Sequence, residues 1–478
     1  MLRLKSLVPM LLLAGLFAAP QLPAQTAQAP MPSQAMIQLG NEATNWLQDL
    51  IRINTTNPPG NELAAAKYIG AILDKEGIHY EIFETAPGRG FIVARLSSTP
   101  VPDPARALLL MGHLDVVGVD RSKWTVDPFG GVINGGYLYG RGAVDDKAMT
   151  IANLATLIEL KRTNAHLNRD VIFLAEPDEE DGGTQGMQVI VDKYWDKIAA
   201  GFAINESGQV AMKDGKVQYV GVQVSEKVAA NVDVVAKGTS GHASIPLKDN
   251  PIAHLAAAIT KISAYEPPAE FDSVTRAYFE TLSNVEDEDT AKWMKVLETP
   301  DRGDHAARII SDENPVWAAM IHNTISPTIL EAGVRRNVIP AEAKAVLNIR
   351  LLPGDSLEVT LAKLTSLVND PEISFSIEPG TSEPAPSSSV TSDLYQAITH
   401  VAATEFPGAP VTPYLSTGAT DSSFLRERNV QAYGLLPFPL TEADRLTMHA
   451  DNERIPLDSF HKGIDFLYTV VSDFAVEK

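Results

Sequence analysis

The stretch LLLMGHLDVVGVD, residues Leu108 to Asp120, contains the first residue types that could do chemistry. A strand-like apolar run leads to Gly112, and His113 and Asp115 then follow two positions apart. In an extended chain, side chains at positions i and i+2 project from the same face, so these two can act on one point. A His and an Asp at this spacing also meet by chance, so the pair alone does not establish a metal or catalytic site.

Four further polar clusters lie at expected turns, in GRGAVDDKAM, AEPDEEDGG, AINESG and LTMHADNERIP. Each has an ordinary structural interpretation as a helix cap, a solvated loop, a turn or a surface histidine. Together, carboxylates at several buried strand ends would repel one another unless a cation neutralises them. We therefore predict a site for two metal ions about 3.5–4 Å apart, for which zinc suits the nitrogen and oxygen donors best. The predicted ligands are His113, Asp145, Glu180, Glu206 and His449.

Composition limits the class of protein. The chain has 478 residues, 45% of them hydrophobic, which suffices for two domains and a large core. Its 39 basic and 60 acidic residues give a net charge of -21, so we do not expect nucleic acid as a partner. The absence of cysteine excludes a disulfide framework, a thiolate metal site and a cysteine nucleophile.

Residues 1–29 have the pattern of an export signal. Arg3 and Lys5 precede an apolar run from Leu7 to Ala19, and small residues follow. The run is shorter than the roughly 20 residues of a membrane span, and Pro20 follows it closely. We therefore expect the signal to be cleaved, leaving no membrane attachment, and the protein to be periplasmic or secreted.

The remaining pattern predicts an α/β fold. RALLLMG and RDVIFLAEP predict buried strands, and MTIANLATLIEL predicts a helix. Because open α/β sheets bind ligands at the carboxyl ends of their strands, the polar clusters should meet there. After Ser225 the sequence pattern changes. VAANVDVVAKG alternates apolar and polar residues like a half-exposed strand, and DNPIAHLAAAITKI predicts a helix with Asn250 as its N-cap. A smaller α+β domain at residues 226–382 is thus predicted to be inserted between the two parts of a larger domain, residues 35–225 and 383–478.

A longer series of motifs resembles a known family. In order, the motifs are GHLDVVGVDRSKWTVDPFGGVINGGYLYGRGAVDDK, EPDEEDGG, NESG, GHASIP, NTISPTILEAGVRRNVIPAEAKAVLNIRLLPG, STGATDSS and MHADNERIP. They resemble the dizinc aminoacylase and carboxypeptidase family of metallopeptidases, particularly its carboxypeptidase S-like branch, from about Trp46 to the C-terminus. The resemblance implies a mixed-sheet zinc-peptidase catalytic domain with an inserted lid or dimerisation domain. It also implies two zinc ions, for which cobalt or manganese could substitute.

The resemblance assigns the ligands to the two ions. It implies that His113 and Glu206 bind one ion and that Glu180 and His449 bind the other. Asp145 would bridge both ions. It makes Asp115 the group that accepts a hydrogen bond from the His113 ring and fixes its tautomer. Some branches of the family have Asp where this chain has Glu206.

The catalytic roles follow by the same resemblance. Glu179 matches the general base, which takes a proton from a metal-activated water and passes it to the leaving amine. His242 matches a donor to the tetrahedral oxyanion, supplied by the smaller domain to the partner subunit's site, so a homodimer is implied. Asn337, Arg350 and Gly418 match substrate contacts, with Arg350 suited to an α-carboxylate. An internal salt bridge is an equally good interpretation of Arg350.

Two other functions are compatible with part of this pattern. A non-catalytic, metal-stabilised protein that binds peptides or amino acids would need neither Glu179 nor His242. A serine hydrolase would need a G-x-S-x-G elbow, and a single-zinc protease H-E-x-x-H, and the chain has neither motif. We therefore predict an amide hydrolase acting on peptides, as a carboxypeptidase or dipeptidase, or on N-acyl amino acids. The sequence leaves open which of these, the preferred side chain and the metal.

Overall fold

The computed structural model describes residues 33–99, 101–378 and 384–478. The predicted export signal lies outside these residues, and so do residues 379–383, where the inserted segment was predicted to end. In the part of the chain that is described, none of the helices has the length and apolar character needed to cross a membrane.

The described residues form nineteen strands. In chain order they are β1 (Tyr80–Ala86), β2 (Arg89–Leu96), β3 (Leu108–His113), β4 (Val132–Asn134), β5 (Tyr137–Tyr139), β6 (Val171–Glu176), β7 (Phe202–Asn205), β8 (Gln209–Lys213), β9 (Lys216–Glu226), β10 (Val228–Lys237), β11 (Gly241–His242), β12 (Thr324–Ala332), β13 (Val338–Ile339), β14 (Glu342–Leu351), β15 (Ile373–Ile377), β16 (Val411–Ser416), β17 (Gln431–Gly434), β18 (Pro439–Thr441) and β19 (Arg454–Pro456).

The same residues form fifteen α-helices and two 3₁₀ turns, Arg121–Lys123 and Glu179–Asp181. The helices are α1 (Gln34–Arg52), α2 (Glu62–Glu76), α3 (Lys147–Arg162), α4 (Met187–Lys193), α5 (Trp195–Ile198), α6 (Pro251–Ser263), α7 (Ser273–Leu282), α8 (Glu288–Met294), α9 (Gly303–Glu313), α10 (Pro315–Ile321), α11 (Leu357–Val368), α12 (Asp393–Glu405), α13 (Ser422–Arg426), α14 (Glu442–Arg445) and α15 (Leu457–Ala475).

The larger sheet has ten strands in the order β1, β2, β6, β3, β7, β17, β9, β8 and β18, with β16 paired to β9. Strands β6, β3, β7 and β17 run parallel at its centre, and β1 and β2 pair antiparallel at one edge. Parallel strands covered on both faces are apolar along their length, which explains why β3 and β6 are buried throughout. The predicted α/β fold with a mixed sheet is confirmed.

Alternate residues of β3 enter two different cores, because successive side chains of a strand point to opposite faces. Leu108 and Leu110 join the core that contains α1, α3 and α15, and Leu109 and Met111 join a core that contains residues of α4 and α13. Helix α3 is buried along nearly its whole length, so it runs through the first core. This burial fixes the turn that precedes it, which carries Asp145.

A smaller antiparallel sheet has the order β12, β14, β10, β15 and lies within the predicted insertion. Helices α6 and α11 cover it through buried residues such as Leu255 and Leu364. Asn250 accepts from the backbone N–H of Ile252 and Pro251 begins α6, as predicted. Ile252 in the first turn of α6 is 41% exposed, although it shares the apolar stripe of this helix with the buried Leu255. The division into domains stays a prediction.

Helices α7 to α10 lie between α6 and β12 in the chain but pack against the larger sheet. Tyr278 of α7 meets Tyr219 of β9 and Tyr414 of β16 with ring centroids 6.0 and 5.6 Å apart. The hydroxyls of Tyr219 and Tyr278 are 3.0 Å apart. Trp317 of α10 belongs to the same core. The segment that the sequence placed in the middle of the insertion therefore covers the larger sheet.

Candidate metal centre

Three neighbouring strands end at one edge of the larger sheet, each beside a predicted site residue. Strand β3 ends at His113, β6 ends at Glu176 before the Glu179–Asp181 turn, and β7 ends at Asn205 before Glu206. Because β6, β3 and β7 are parallel neighbours, their carboxyl ends lie side by side. The predicted meeting of the polar clusters at this edge is confirmed.

Asp145 lies between the two predicted histidine ligands. Its Oδ1 is 3.0 Å from His113 Nε2, and its Oδ2 is 3.1 Å from His449 Nε2. Helix α3 is tied to β3 because the Thr150 hydroxyl donates to the His113 carbonyl at 3.2 Å and the Asn153 amide donates to another β3 carbonyl at 2.8 Å. These bonds hold the start of α3, and with it Asp145, beside His113. One carboxylate oxygen directed at each histidine is the arrangement that a bridging ligand requires.

The remaining predicted ligands lie on either side of Asp145. Glu206 Oε2 is 3.9 Å from His113 Nε2, and Glu180 Oε2 is 3.0 Å from His449 Nε2. Donor atoms of His113, Asp145 and Glu180 all lie within 4.8 Å of one another. The structure therefore brings all five predicted ligands into one cluster.

Glu179, the predicted base, lies in the same cluster. Its carboxylate, that of Glu206 and the His113 ring have donor atoms within 4.8 Å of one another. This places Glu179 close enough to act on a group bound beside His113 and Glu206. The same distance would also allow Glu179 to be a ligand.

The negative charge of the clustered carboxylates exceeds the positive charge that the surrounding side chains supply. Burial, reinforced by the negative charge of Glu206, raises the pKa of Glu179 well above its usual range. Burial and the charge of Asp145 do the same to the pKa of Glu206. Burial opposes protonation of His113, but hydrogen bonds to Asp115 and Asp145 raise its pKa well above normal. Divalent cations would compensate these charges, and the imidazole and carboxylate donors fit zinc.

Asp115 contacts the His113 ring, but chiefly through its backbone. The carbonyl oxygen of Asp115 is 3.0 Å from His113 Nδ1, whereas its carboxylate Oδ1 is 3.6 Å away. A proton on Nδ1 that is donated to this carbonyl leaves Nε2 free to face the cluster. The carboxylate accepts instead from the backbone N–H groups of Glu179 and Glu180, each at 3.2 Å. Asp115 therefore orients both the histidine and the acidic turn.

Sequence reasoning missed a buried network behind Asp115. Asn57 Nδ2 donates to Asp115 Oδ2 at 2.8 Å and to Asp178 Oδ1 at 3.1 Å. Arg89 donates to Asp178 at 2.8 Å and to Glu62 at 2.9 Å. Of the residues behind Asp115, Asp178 is the one that lies in a motif, and its partners Asn57 and Arg89 are far away in the chain. Their common feature in the sequence is polarity alone, which does not signal burial.

The predicted oxyanion donor His242 and the predicted substrate contact Asn337 are neighbours at a small two-stranded sheet. His242 lies on β11, which pairs with β13, and the backbone N–H of Ala243 donates to the Asn337 carbonyl at 3.1 Å. Both side chains are exposed, and His242 Nδ1 is 2.7 Å from the Ser244 hydroxyl. Neither residue bonds to the metal cluster among the residues that are described.

The other two predicted substrate contacts differ in their surroundings. Arg350 is half-buried on β14, and its Nε donates to Asn348 at 3.0 Å. Burial lowers the pKa of Arg350, while the negative charges of Glu179 and Glu226 raise it. Arg350 is therefore within electrostatic range of the cluster. Gly418 is exposed just after β16.

Comparison with known proteins gives the family that the sequence motifs indicated. The model of peptidase family M20/M25/M40 matches residues 109–473. Human N-fatty-acyl-amino acid synthase/hydrolase PM20D1 is 28% identical over 82% of this chain and 81% of its own. The probable carboxypeptidase S-like 2 of Dictyostelium discoideum is 28% identical over 77% of this chain and 72% of its own. The M20 family metallo-carboxypeptidase Sso-CP2 of Sulfolobus solfataricus has a similar fold, with a TM-score of 0.70, 22% identity and coverage of 91% and 99%.

The family match and the relatives, together with the carboxylate and histidine cluster at the strand ends, identify a metal-dependent hydrolase of amide bonds. The family match covers most of the chain, and the chain belongs to peptidase family M20/M25/M40. The predicted resemblance to this family is confirmed. The individual roles of the site residues stay predictions.

Proposed function

We propose that this protein hydrolyses the amide bond of N-acyl amino acids or peptides at a centre of two divalent cations, with zinc as the natural metal. The observation that carries the proposal is the position of Asp145, whose two carboxylate oxygens lie 3.0 and 3.1 Å from the Nε2 atoms of two different histidines, close to the separation of two donor atoms on one ion. His113 and Glu206 would hold one cation, Glu180 and His449 the other, and Asp145 both. The reaction adds one water to the amide and yields a carboxylic acid and an amine.

Bound cations would lower the pKa of a water molecule and attract the scissile carbonyl oxygen. Glu179 accepts the water's proton on its carboxylate and transfers it to the leaving nitrogen, so the base becomes the acid within one turnover. Asp115 keeps Glu179 in place through the backbone hydrogen bond at 3.2 Å. His242 of a second subunit would donate to the oxyanion.

The substrate class is proposed from charge and from the relatives. Arg350 is a half-buried guanidinium near Glu179 whose fork fits a carboxylate. Asn337 and Gly418 would contribute further contacts. The names of the relatives include an N-fatty-acyl-amino acid synthase/hydrolase and a probable carboxypeptidase S-like protein. Both substrate classes contain an amide next to a free carboxylate.

A homodimer formed through the smaller sheet is part of the proposal. Strand β12 is an edge strand of this sheet, and Ile329 and Leu330 on it are 51% and 63% exposed. An exposed edge strand with apolar side chains presents unpaired backbone groups that can pair with a strand of another chain. Pairing of β12 with the same strand of a second copy about a twofold axis would continue the sheet.

Export is proposed from the N-terminal sequence, which supports cleavage between Gln25 and Pro30. The test is the N-terminal residue of the mature protein recovered from the periplasm or medium. Recovery of the chain only from the cytoplasm, with residues 1–29 attached, would contradict it.

A substrate screen tests the proposed activity. Protein stripped with chelator and reloaded with zinc, cobalt or manganese is incubated with dipeptides and with N-acyl amino acids of different acyl length, and the products are identified by mass spectrometry. The matched control is the same amide with its carboxylate converted to a methyl ester, which Arg350 cannot clamp. Full activity in excess chelator, or no hydrolysis by any reloaded form, would contradict the proposal.

A further inference from the structure

Glu453 is a buried carboxylate that binds the backbone of the loop carrying Asp145. Its Oε1 accepts from the N–H groups of Val144 at 2.8 Å and Asp145 at 3.1 Å, and its Oε2 accepts from Gly142 at 3.1 Å. The residue has no exposed surface. Three backbone donors that converge on one carboxylate define the path of this loop. Glu453 itself lies four positions after His449 in the chain.

Arg141 makes the reciprocal connection to the loop carrying His449. Its Nη2 is 3.2 Å from the carbonyl oxygens of both His449 and Ala450, and its Nη1 donates to Glu453 at 2.6 Å. Arg141 is 2% exposed, and the Trp124 ring lies over its guanidinium at 5.4 Å. Arg141 lies four positions before Asp145. Arg141 thus precedes the predicted ligand Asp145 in the chain and bonds the backbone of His449. Glu453 follows the predicted ligand His449 and bonds the backbone of Asp145.

His449 needs such an external bond. Its φ is 57°, in the left-handed region that residues other than glycine rarely adopt. Its side chain is half exposed, so packing of the ring alone does not hold this conformation. The hydrogen bond from Arg141 to the His449 carbonyl holds the peptide group that follows His449.

We propose that Arg141 and Glu453 are positioning residues that set the separation of Asp145 and His449, and with it the binding of the cation these two ligands share. The inference rests on the proposed two-cation centre. Neither residue is one of the predicted metal ligands or substrate contacts. Both act through the backbone of the ligand loops, and among the described residues the other ion pair between these two loops is the contact of the ligands Asp145 and His449 themselves.

The hydrogen-bond chemistry of Glu453 makes Glu453→Gln a decisive variant. Both carboxylate oxygens accept from N–H donors, so either orientation of a Gln amide directs its NH₂ group at another donor. Arg141→Lys keeps the positive charge but loses the planar fork that reaches Glu453 and the carbonyls together. The two variants therefore disturb the same connection from opposite sides.

The test is a titration of chelator-stripped protein with Co²⁺ alone. Binding is measured by calorimetry and by the visible absorption of the bound ion. We expect wild type to bind two Co²⁺. In Glu453→Gln and Arg141→Lys, we expect one of the two to bind about 10- to 100-fold more weakly, with altered absorption bands. Thermal unfolding followed by circular dichroism establishes that each variant is folded. If Glu453→Gln does not fold, Arg141→Lys decides the question.

Asp170→Asn is the matched control for loss of a buried ion pair. Asp170 is 2% exposed, pairs with Arg95 at 3.0 Å and accepts from the backbone N–H of Ser98 at 2.8 Å, away from the ligand loops. This variant should lose stability while binding both Co²⁺ as wild type does. Wild-type affinities and absorption in folded Arg141→Lys would overturn the inference. Fewer than two Co²⁺ on wild-type protein would instead overturn the two-cation centre on which it rests.

Discussion

Replacement of Glu179 by Gln separates its role as a base from a role as a ligand. The amide has the same shape as the carboxylate but cannot take a proton from water. The turn should persist, because the bonds from the backbone of Glu179 and Glu180 to the Asp115 carboxylate do not involve the altered side chain. We therefore expect Glu179→Gln to retain the fold and the bound metal.

The expected loss of activity follows from the proton transfer that is removed. General acid and base groups contribute about 10²–10⁴-fold to the rate, or roughly 3–5 kcal/mol of activation free energy. The distance of Glu179 from the donor atoms of His113 and Glu206, within 4.8 Å, puts it where the attacking water would be deprotonated. We expect kcat to fall by this factor while KM changes little.

The assay is steady-state hydrolysis of a substrate identified by the screen, combined with elemental analysis of metal per chain. Asp181→Asn is the matched control, because Asp181 ends the same 3₁₀ turn and is exposed. It should keep both activity and metal. If Glu179→Gln loses metal together with activity, Glu179 is a ligand. If it keeps activity within tenfold, the base is another group.

Two further predictions concern the second subunit and a buried lysine. Mixing inactive His242→Ala with inactive Glu179→Ala subunits should restore part of the activity, because one site of each mixed dimer then has both groups; no recovery in confirmed mixed dimers would show that sites are not shared. Burial, reinforced by the positive charge of Arg350, lowers the pKa of Lys227 to about 7. Between about pH 7 and 10, Lys227 is therefore protonated in the unfolded chain and neutral in the folded protein. The free energy of unfolding of wild type, relative to that of Lys227→Met, should increase as the pH rises, by at most about 1.4 kcal/mol per pH unit. Equal pH slopes in urea unfolding of the two proteins would contradict this.

The sequence by itself predicted the chemistry-bearing residues and the edge at which they meet. Uninterrupted apolar runs such as that of β3 indicate central parallel strands, and polar residues just after such runs must lie at the carboxyl edge. His113, Glu180 and Glu206 are found there. These are local patterns, in which a few consecutive residues carry the information.

Only the tertiary structure decided which groups hold these residues in place. The Arg141–Glu453 pair and the contact of Asn57 with Asp115 join segments that lie far apart in the chain. The packing of α7 on the larger sheet, where the sequence placed it in the insertion, is of the same kind. Such contacts depend on which distant segments pack together when the chain folds. The hydrophobic periodicity of one segment does not indicate which other segment it packs against.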